Sequence, residues 1–543
     1  MKNVRILDCT LRDGGRIIDC KFPDADIEEI SNRLAEAKID IVELGFLRDW
    51  RKLKYEGNST FFTDVDQMAP YTRNRKKGTM YLAFVDFGMF DFDTLKPYDG
   101  NSIDGIRVGF TRKDYLNSEQ EVIRCLNIVK ERGYKLFVQG VNSLGYTDKE
   151  LLEIIDLVNS VKPYGFGIVD TYGAMYVDDV RRIYTLVDHN LDDEICIDFH
   201  SHNNFQLSFS FAQEIISMSH GKRNIIIDAT LNGMGKAAGN LNTELIVDFL
   251  IRKMGYHYDL DMIFDIIDDY MYQIKQEKSW GYSIPSMMAG IYKSHPNNII
   301  FLTEKFRLAT KDIKYILSMI DPALRQRYDY DNIRALYEKY NHTKVDDRES
   351  VEKLAAMLKD RKVLLLLPGS TIDTYADTIE QYIAENNPFI ISVNFVTKFG
   401  DKANRLAFFG SEKRYLRAAG REQECNVASV SNIDGYSDTD LVFNYESLIA
   451  RENEDFENSM IMLLNLLRRI EVENFAIAGF DGYQKGEPNY SKDVIREDDR
   501  FKHRYDEITL NMRKMLKAYK EKMIKPEVCF LTPSVYADIF KTE

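Results

Sequence analysis

His200 and His202 are two of only eight histidines in the chain, and they stand two apart at the end of the apolar run ICIDFHSH (195–202). In an extended strand residues i and i+2 point to the same side, so both imidazoles can reach one point. Other chemistry-bearing residues sit in or just after similar runs. VRILDC (4–9) is followed by Thr10-Leu11-Arg12-Asp13-Gly14-Gly15, IDIVELGF (39–46) contains Glu43, and NIIIDAT (224–230) precedes Gly233-Met234-Gly235-Lys236-Ala237-Ala238-Gly239-Asn240. A carboxylate from the end of the first run, placed beside the two histidines, would make a two-His, one-carboxylate site with open positions for a divalent metal. An HxH pair alone is more often two hydrogen-bonded polar histidines, so the reading depends on the elements that position these segments.

Four more runs, MYLAFVDF (80–87), IDGIRVGF (103–110), YKLFVQGV (134–141) and YGFGIVDT (164–171), complete a set of eight. Each is rich in Val, Ile, Leu, Phe or Tyr, as a strand buried on both faces requires. Most are separated by room for a helix. DADIEEISNRLAEAKI (24–39), for example, puts Ile27, Ile30, Leu34 and Ala37 on one face. Eight strands with crossovers in about 250 residues give the size and count of a (β/α)8 TIM barrel, with an open doubly wound sheet as the alternative. Barrels carry function at the C-terminal ends of their strands, where the residues named above fall.

From about 256 to 345 the pattern becomes helical, over 259–276, 297–308 and 311–320, and the polar HTKVDDRES (342–350) is the best linker. A second α/β region follows, with strands expected at 362–370, 388–396, 405–411, 440–446, 474–483 and 527–534 and helices at 374–387, 456–470 and 503–523. The expected fold is therefore α/β: a TIM barrel (1–255), a helical appendage (256–345) and a Rossmann-like α/β domain (360–543).

Composition excludes other classes. With 72 Lys+Arg against 86 Asp+Glu, the net charge of −14 argues against general binding to nucleic acid or to an anionic membrane. The six cysteines are scattered without a CxxC pair, which predicts a reduced, cytoplasmic chain with no thiolate metal site. Cys9 and Cys20 flank the first motif and read as packing residues. The start, MKNVRILDCT, has no apolar h-region, and no apolar run approaches ~20 residues, so neither a signal peptide nor a membrane span is expected.

T-L-R-D-G after the first strand, E-L-G-F on the second, H-x-H-N on the seventh and G-x-G-x-x-x-G-N after the eighth resemble the DRE-TIM metallolyase superfamily. That superfamily includes HMG-CoA lyase, isopropylmalate synthase and pyruvate aldolases of the 4-hydroxy-2-oxovalerate type. The stretch A-G-I-Y-K-S (289–294) is similar to the appendage of those aldolases. The resemblance implies Asp13, His200 and His202 as metal ligands, with Asn240 as a fourth ligand or a residue just behind it. It implies Arg12 at the substrate oxygen beside the metal, Glu43 holding Arg12, and Tyr292 near the reacting hydroxyl. Asp170 and Thr171, in Asp170-Thr171-Tyr172-Gly173 after the sixth strand, match a D-T-x-G pattern that shapes the loop facing the metal, and they join Lys236 as substrate-side candidates. Mixed His and carboxylate ligation suits manganese first, with magnesium and zinc as alternatives.

One position departs from the aldolase pattern: a histidine is expected three residues after the metal aspartate, and Arg16 stands there. An arginine there would suit a phosphorylated or carboxylated aldehyde; its alternative is a loop-capping surface residue. In the C-terminal region, Pro368-Gly369-Ser370-Thr371 links a strand to a helix in a manner similar to bacterial sialyltransferases and MptE-like domains. That similarity implies Gly369, Ser370 and Asn394 facing a nucleotide or nucleotide sugar, with Gly479-Phe480-Asp481-Gly482 at a later strand end; the alternative is a structural turn. His503, the only histidine of this region, lies on a charged stretch.

The expected activity is a divalent-metal-dependent, class II aldolase joining pyruvate or a similar 2-oxo acid to an aldehyde, in a biosynthetic and bifunctional chain able to form a homo-oligomer. The alternatives are an acyl-CoA-dependent Claisen enzyme, and a nucleotide-sugar transferase or binding protein with the barrel as scaffold.

Overall fold

The computed structural model describes residues 3–52, 59–304, 308, 310–325, 327–340, 345–418, 425–433, 439–450, 458–484, 488–491, 504–524 and 527–540. His503 lies outside them. The chain divides into two compact units, one of residues 1–299 with 320–328 and one of 300–319 with 329–543. The helices of 256–345, expected as one appendage, are thus shared between the units.

All eight expected barrel strands form: β1 (Val4–Asp8), β2 (Ile41–Leu47), β3 (Met80–Asp86), β4 (Gly105–Thr111), β5 (Lys135–Val141), β6 (Gly165–Asp170), β7 (Cys196–Ser201) and β8 (Ile225–Ala229). They pair in parallel in sequence order, and β1 closes the barrel by pairing with β8 at Val4↔Ile225 and with β2 at Leu7↔Ile41. The barrel reading therefore holds over the open sheet. A two-residue strand, Phe61–Phe62, adds to the end of β2.

Regular helices connect most strands, among them α1 (Asp24–Glu36) and α2 (Arg112–Glu131). Between β2 and β3, however, the crossover is a 3-10 segment, Val65–Thr72, with Pro70 inside it, and between β3 and β4 only Phe92–Thr94 is helical. Proline removes a backbone donor and clashes with the preceding turn, so an α-helix cannot run through 70. Val4, Ile6, Ile106, Val108, Phe199 and Ile227 are all buried in the main core of this unit.

The second unit holds a seven-stranded parallel sheet: β9 (Val363–Leu366), β10 (Phe389–Val393), β11 (Arg405–Phe409), β12 (Asn426–Val430), β13 (Leu441–Phe443), β14 (Asn474–Ala478) and β15 (Glu527–Phe530). The spatial order is β13-β12-β11-β10-β9-β14-β15, so the direction of winding reverses between β9 and β14. Val363 and Leu365 enter one core while Leu364 and Leu366 enter another, so the sheet is covered on both faces. β12 was not expected: NVASV carries two valines among small and polar residues and lacks the apolar density of its neighbours.

Candidate metal centre and active site

The turn after β1 is fixed from below. Asp8 accepts the backbone N–H of Thr10 at 2.9 Å and the hydroxyl of Thr243 at 2.6 Å, and the N–H groups of Arg12 and Asp13 return to the carbonyl of Cys9. This folds Arg12 and Asp13 inward, only 4% and 6% exposed. Arg12 donates through Nε to Glu43 Oε2 at 2.5 Å and through Nη1 to Asp13 Oδ1 at 2.7 Å, with Phe84 stacked 4.5 Å from its guanidinium. Burial opposes the charge on Arg12, but Glu43 and Asp13 outweigh it and raise its pKa. Burial likewise pushes the Asp13 carboxyl up, and Arg12 with the two histidines more than reverses this and holds it well below the usual range.

Glu43 reaches Arg12 because β2 shifts register between Glu43 and Phe46. Gly45 permits it. A Cβ there, at φ +157°, would stand 2.2 Å from the carbonyl of Thr60, whose oxygen accepts from Phe46 N–H at 2.8 Å.

His200 and His202 converge as their spacing predicts. Their Nε2 atoms lie 3.8 and 3.3 Å from Asp13 Oδ2. Each ring is held from behind, His200 by its Nδ1 to Asp228 Oδ2 at 2.9 Å and His202 by its Nδ1 to the carbonyl of Asp170 at 3.1 Å. Burial pushes the pKa of His200 down to about 3, so the ring is neutral and its Asp228-bonded Nδ1 carries the proton. Nε2 is then a lone-pair donor aimed at Asp13.

Asn240 donates to Asp13 Oδ2 at 3.0 Å and to the carbonyl of Met234 at 2.9 Å, while its Oδ1 is buried with no hydrogen-bond partner. Burial opposes a proton on His202, but Asp13 outweighs it and raises that ring's pKa, so a cation would take the place of the proton His202 shares with Asp13. Two imidazole nitrogens, a carboxylate oxygen and an orphaned amide oxygen fit a divalent cation, and Asp13, His200 and His202 form a group able to hold one. Cys9 also lies with His200 and Asp228, but burial raises its thiol pKa well above normal, so it remains a packing residue.

Beneath the site lies a network that sequence reading missed. Arg107 is fully buried and donates to Asp228 at 2.5 Å, to Asp198 at 2.6 Å and to Glu43 at 3.3 Å; Gln139 also donates to Asp198. Burial drives Asp198 up to about 7, so this crowd of carboxylates is relieved by a proton as well as by the guanidinium. The available signal was a charged residue inside an apolar run: Arg107 in IDGIRVGF, Asp198 in ICIDFHSH, Asp228 in NIIIDAT.

Other candidates fall less directly on the site. Asp170 caps its own loop, accepting from Ala174 N–H at 2.8 Å and Met175 N–H at 3.3 Å, and burial lifts it to about 6. Thr171 accepts from Asn142 N–H at 2.8 Å. These two shape the loop behind His202, and both side chains accept hydrogen bonds from backbone N–H groups. Tyr292 ends a helix, α3 in this account (Ile284–Tyr292), that docks on the loops after β6 and β7. A Cβ on Gly290 would meet the carbonyl of Gly173 at 2.8 Å and the Phe205 ring at 2.9 Å, and Asn204 donates to Ser286 O at 2.7 Å. The Tyr292 ring lies 5.4 Å beneath Arg325, and among the described residues no hydrogen bond joins its hydroxyl to Arg12, Asp13 or the histidines. Arg16 stacks on Phe46 at 4.6 Å and lies 3.4 Å from Asp13 and 3.7 Å from Asp86, so it faces the site rather than capping a surface loop.

In the second unit, Asp481 occupies the turn expected to face a nucleotide. Its carboxylate accepts from Thr371 N–H at 2.9 Å and Ser370 Oγ at 3.3 Å and also bonds the Thr371 hydroxyl, so a negative charge already stands where a phosphate was expected. Gly369 is packed, with a Cβ there 2.4 Å from the carbonyl of Gly479, and Asn394 spends its amide on Ser459 at 2.9 Å and Gly410 N–H at 3.1 Å. Gly369 and Ser370 thus pack against the 479–481 strand end, while Asn394 ties the end of β10 to Ser459 and Gly410.

Residues 107–269 match the HMGL-like family model. The 4-hydroxy-2-oxovalerate aldolase of Carboxydothermus hydrogenoformans is 26% identical over 325 residues, 58% of this chain and 90% of that protein. The one from Geobacillus genomosp. 3 is 28% identical over 269 residues, 49% of this chain and 75% of its own length. Among solved structures, the HMG-CoA lyase from Brucella melitensis aligns with a TM-score of 0.41 and 17% identity over 50% of this chain and 99% of that one. The matched segment 107–269 includes His200, His202, Asp228, Lys236 and Asn240.

Proposed function

With an HMGL-like barrel of the DRE-TIM kind as the premise, we propose that the N-terminal domain is a divalent-metal-dependent aldolase joining the C3 carbon of pyruvate, or a close 2-oxo acid, to an aldehyde. The observation that carries this reading is the clamp on Arg12, held between Glu43 at 2.5 Å and Asp13 at 2.7 Å beside the two convergent histidines.

Asp13, His200, His202 and the amide oxygen of Asn240 would hold the cation, manganese by the mixed nitrogen and oxygen donor set, with magnesium or zinc as alternatives. When bound, it supplies Lewis-acid polarisation of the 2-oxo acid's keto group. Arg12 presents its remaining N–H groups where negative charge develops on the keto oxygen as a C3 proton leaves. Being fixed by Glu43 and Phe84, it needs no reorganisation at that moment. A planar fork that stays charged suits this task better than a lysine. In the bond-forming direction the C3 electron pair attacks the aldehyde carbon, the carbonyl pair moves to oxygen and that oxygen takes up a proton. The product is a 4-hydroxy-2-oxo acid, and cleavage is the reverse.

The test is exchange of pyruvate methyl protons with D2O, followed by NMR without any aldehyde, with manganese and after chelation. Exchange that requires metal and is lost in Arg12→Ala supports the reading; exchange absent from metal-loaded protein refutes it.

A further inference from the structure

The rim beside Asp13 is cationic in a chain whose net charge is −14. Arg16 and Arg48 stack on the same Phe46 ring, at 4.6 and 4.7 Å, and share one carboxylate, Asp86. Lys236 joins them from the turn 233–240, which Asn240 ties to Asp13 and which seats Met234 3.4 Å from where a Cβ on Gly14 would stand. Lys236 is half-buried, and its ammonium has no hydrogen bond or ion pair among the described residues. Burial first, then the charge of Arg16, lower its pKa.

His295 arrives from another direction. The segment before α3 is fastened to the same turn by Gly281 N–H to Ala237 O at 3.1 Å, and to the residue preceding that turn by Trp280 Nε1 to Asn232 O at 2.8 Å. His295 follows the helix, and its Nδ1 accepts the Asn297 N–H at 3.1 Å. Burial, reinforced by the nearby charges of Lys236 and Arg16, pushes its pKa down to about 4. The ring is therefore neutral with its proton on Nε2, which has no partner among the described residues. His295 lies far along the chain from the first motif, and its ring feels the charges of Lys236 and Arg16.

Two cations and an imidazole N–H gathered at half-buried positions, one cation wholly unpaired, carry a desolvation and repulsion cost that a bound anion removes. We propose that Arg16, Lys236 and His295 form the subsite for an anionic group on the aldehyde acceptor, a phosphate or a carboxylate. The inference rests on the aldolase reading and specifies its second substrate. The aldehyde carbon faces C3 of the 2-oxo acid over the metal ligands, and the charge at its far end is held by the guanidinium, the ammonium and the imidazole N–H. Arginine at 16, where the aldolase pattern predicts a histidine, then supplies a planar, permanently charged fork for a charged acceptor.

The experiment uses the full chain loaded with manganese, pyruvate as donor, and two acceptor pairs: glyceraldehyde 3-phosphate against glyceraldehyde, and succinic semialdehyde against butyraldehyde. The expected result is a kcat/KM preference of roughly 100-fold for at least one anionic member, falling roughly 10-fold or more in Lys236→Met and in Arg16→Met. Which pair shows it distinguishes phosphate from carboxylate. Lys236→Gln serves if the methionine variant folds poorly. A ratio near one in both pairs, or a preference unmoved by either variant, overturns the subsite. So does an equal rise in the KM for pyruvate in acceptor-free proton exchange, because the cluster would then hold the donor's carboxylate. Wild-type protein without any exchange removes the aldolase reading and the subsite together; exchange with a ratio near one removes the subsite alone.

Discussion

Asp228 grips His200 from behind, its Oδ2 2.9 Å from the imidazole Nδ1, while the same oxygen takes Arg107 Nη2 at 2.5 Å. This fixes the tautomer that leaves Nε2 free for a metal, and it anchors the ligand to a guanidinium in the barrel's interior. Replacing Asp228 with Asn loosens that ring without opening a cavity. Metal affinity, measured by competition with a chromophoric chelator, is expected to fall roughly 10- to 100-fold.

Arg12→Lys keeps a positive charge and loses the fork that spans Glu43 and Asp13. The rate of pyruvate proton exchange at saturating pyruvate is expected to fall roughly 100-fold or more, because the lost interaction forms where charge develops. A near-normal rate would remove Arg12 from the chemistry.

Gly45→Ala places a methyl 2.2 Å from the carbonyl of Thr60 at a φ that favours glycine. The register shift carrying Glu43 toward Arg12 cannot survive this, so the variant should lose roughly 2 kcal/mol or more in urea unfolding, together with its exchange activity. Unchanged stability would show that Glu43 is positioned by something else.

Asp8 provides a pH test in the metal-free protein. Burial raises it from 3.8 to about 6. Between those values the folded state holds a proton that the unfolded state has released, so this contribution is complete below about pH 4 and is lost as pH rises through about 6. Asp8→Asn lacks that titration. Relative to wild type, the variant should gain on the order of 2–3 kcal/mol between about pH 4 and pH 7 in urea unfolding. A constant difference would mean that Asp8 stays ionised.

Much of the barrel was legible because its strands are buried on both faces and so read as continuous apolar runs; all eight lie where those runs lie. The convergence of His200 and His202 was legible from their i, i+2 spacing at a strand end, and Asp13 and Asn240 were picked out through the resemblance carried by their glycine-flanked motifs. Arg107, Asp198 and Asp228 were not, because one polar residue within an apolar run looks the same whether it faces solvent or the inside of a closed barrel. His295 was invisible for another reason: it follows α3, which only the docking of Gly290 on Gly173 and Phe205 holds to the loops after β6 and β7. In the second unit the small-residue turn at 368–371 read as a phosphate cradle, and nothing local signalled that Asp481, far along the chain, fills it.

The central claim is that Asp13, His200 and His202 hold a metal beside which Arg12 supports loss of a pyruvate methyl proton. Acceptor-free exchange in D2O, measured on one preparation as purified, after chelation, after manganese is restored, and in His200→Ala, tests it most directly. Exchange is expected to disappear on chelation, return with manganese and be absent from the variant. Exchange that persists undiminished through chelation and in His200→Ala would contradict it.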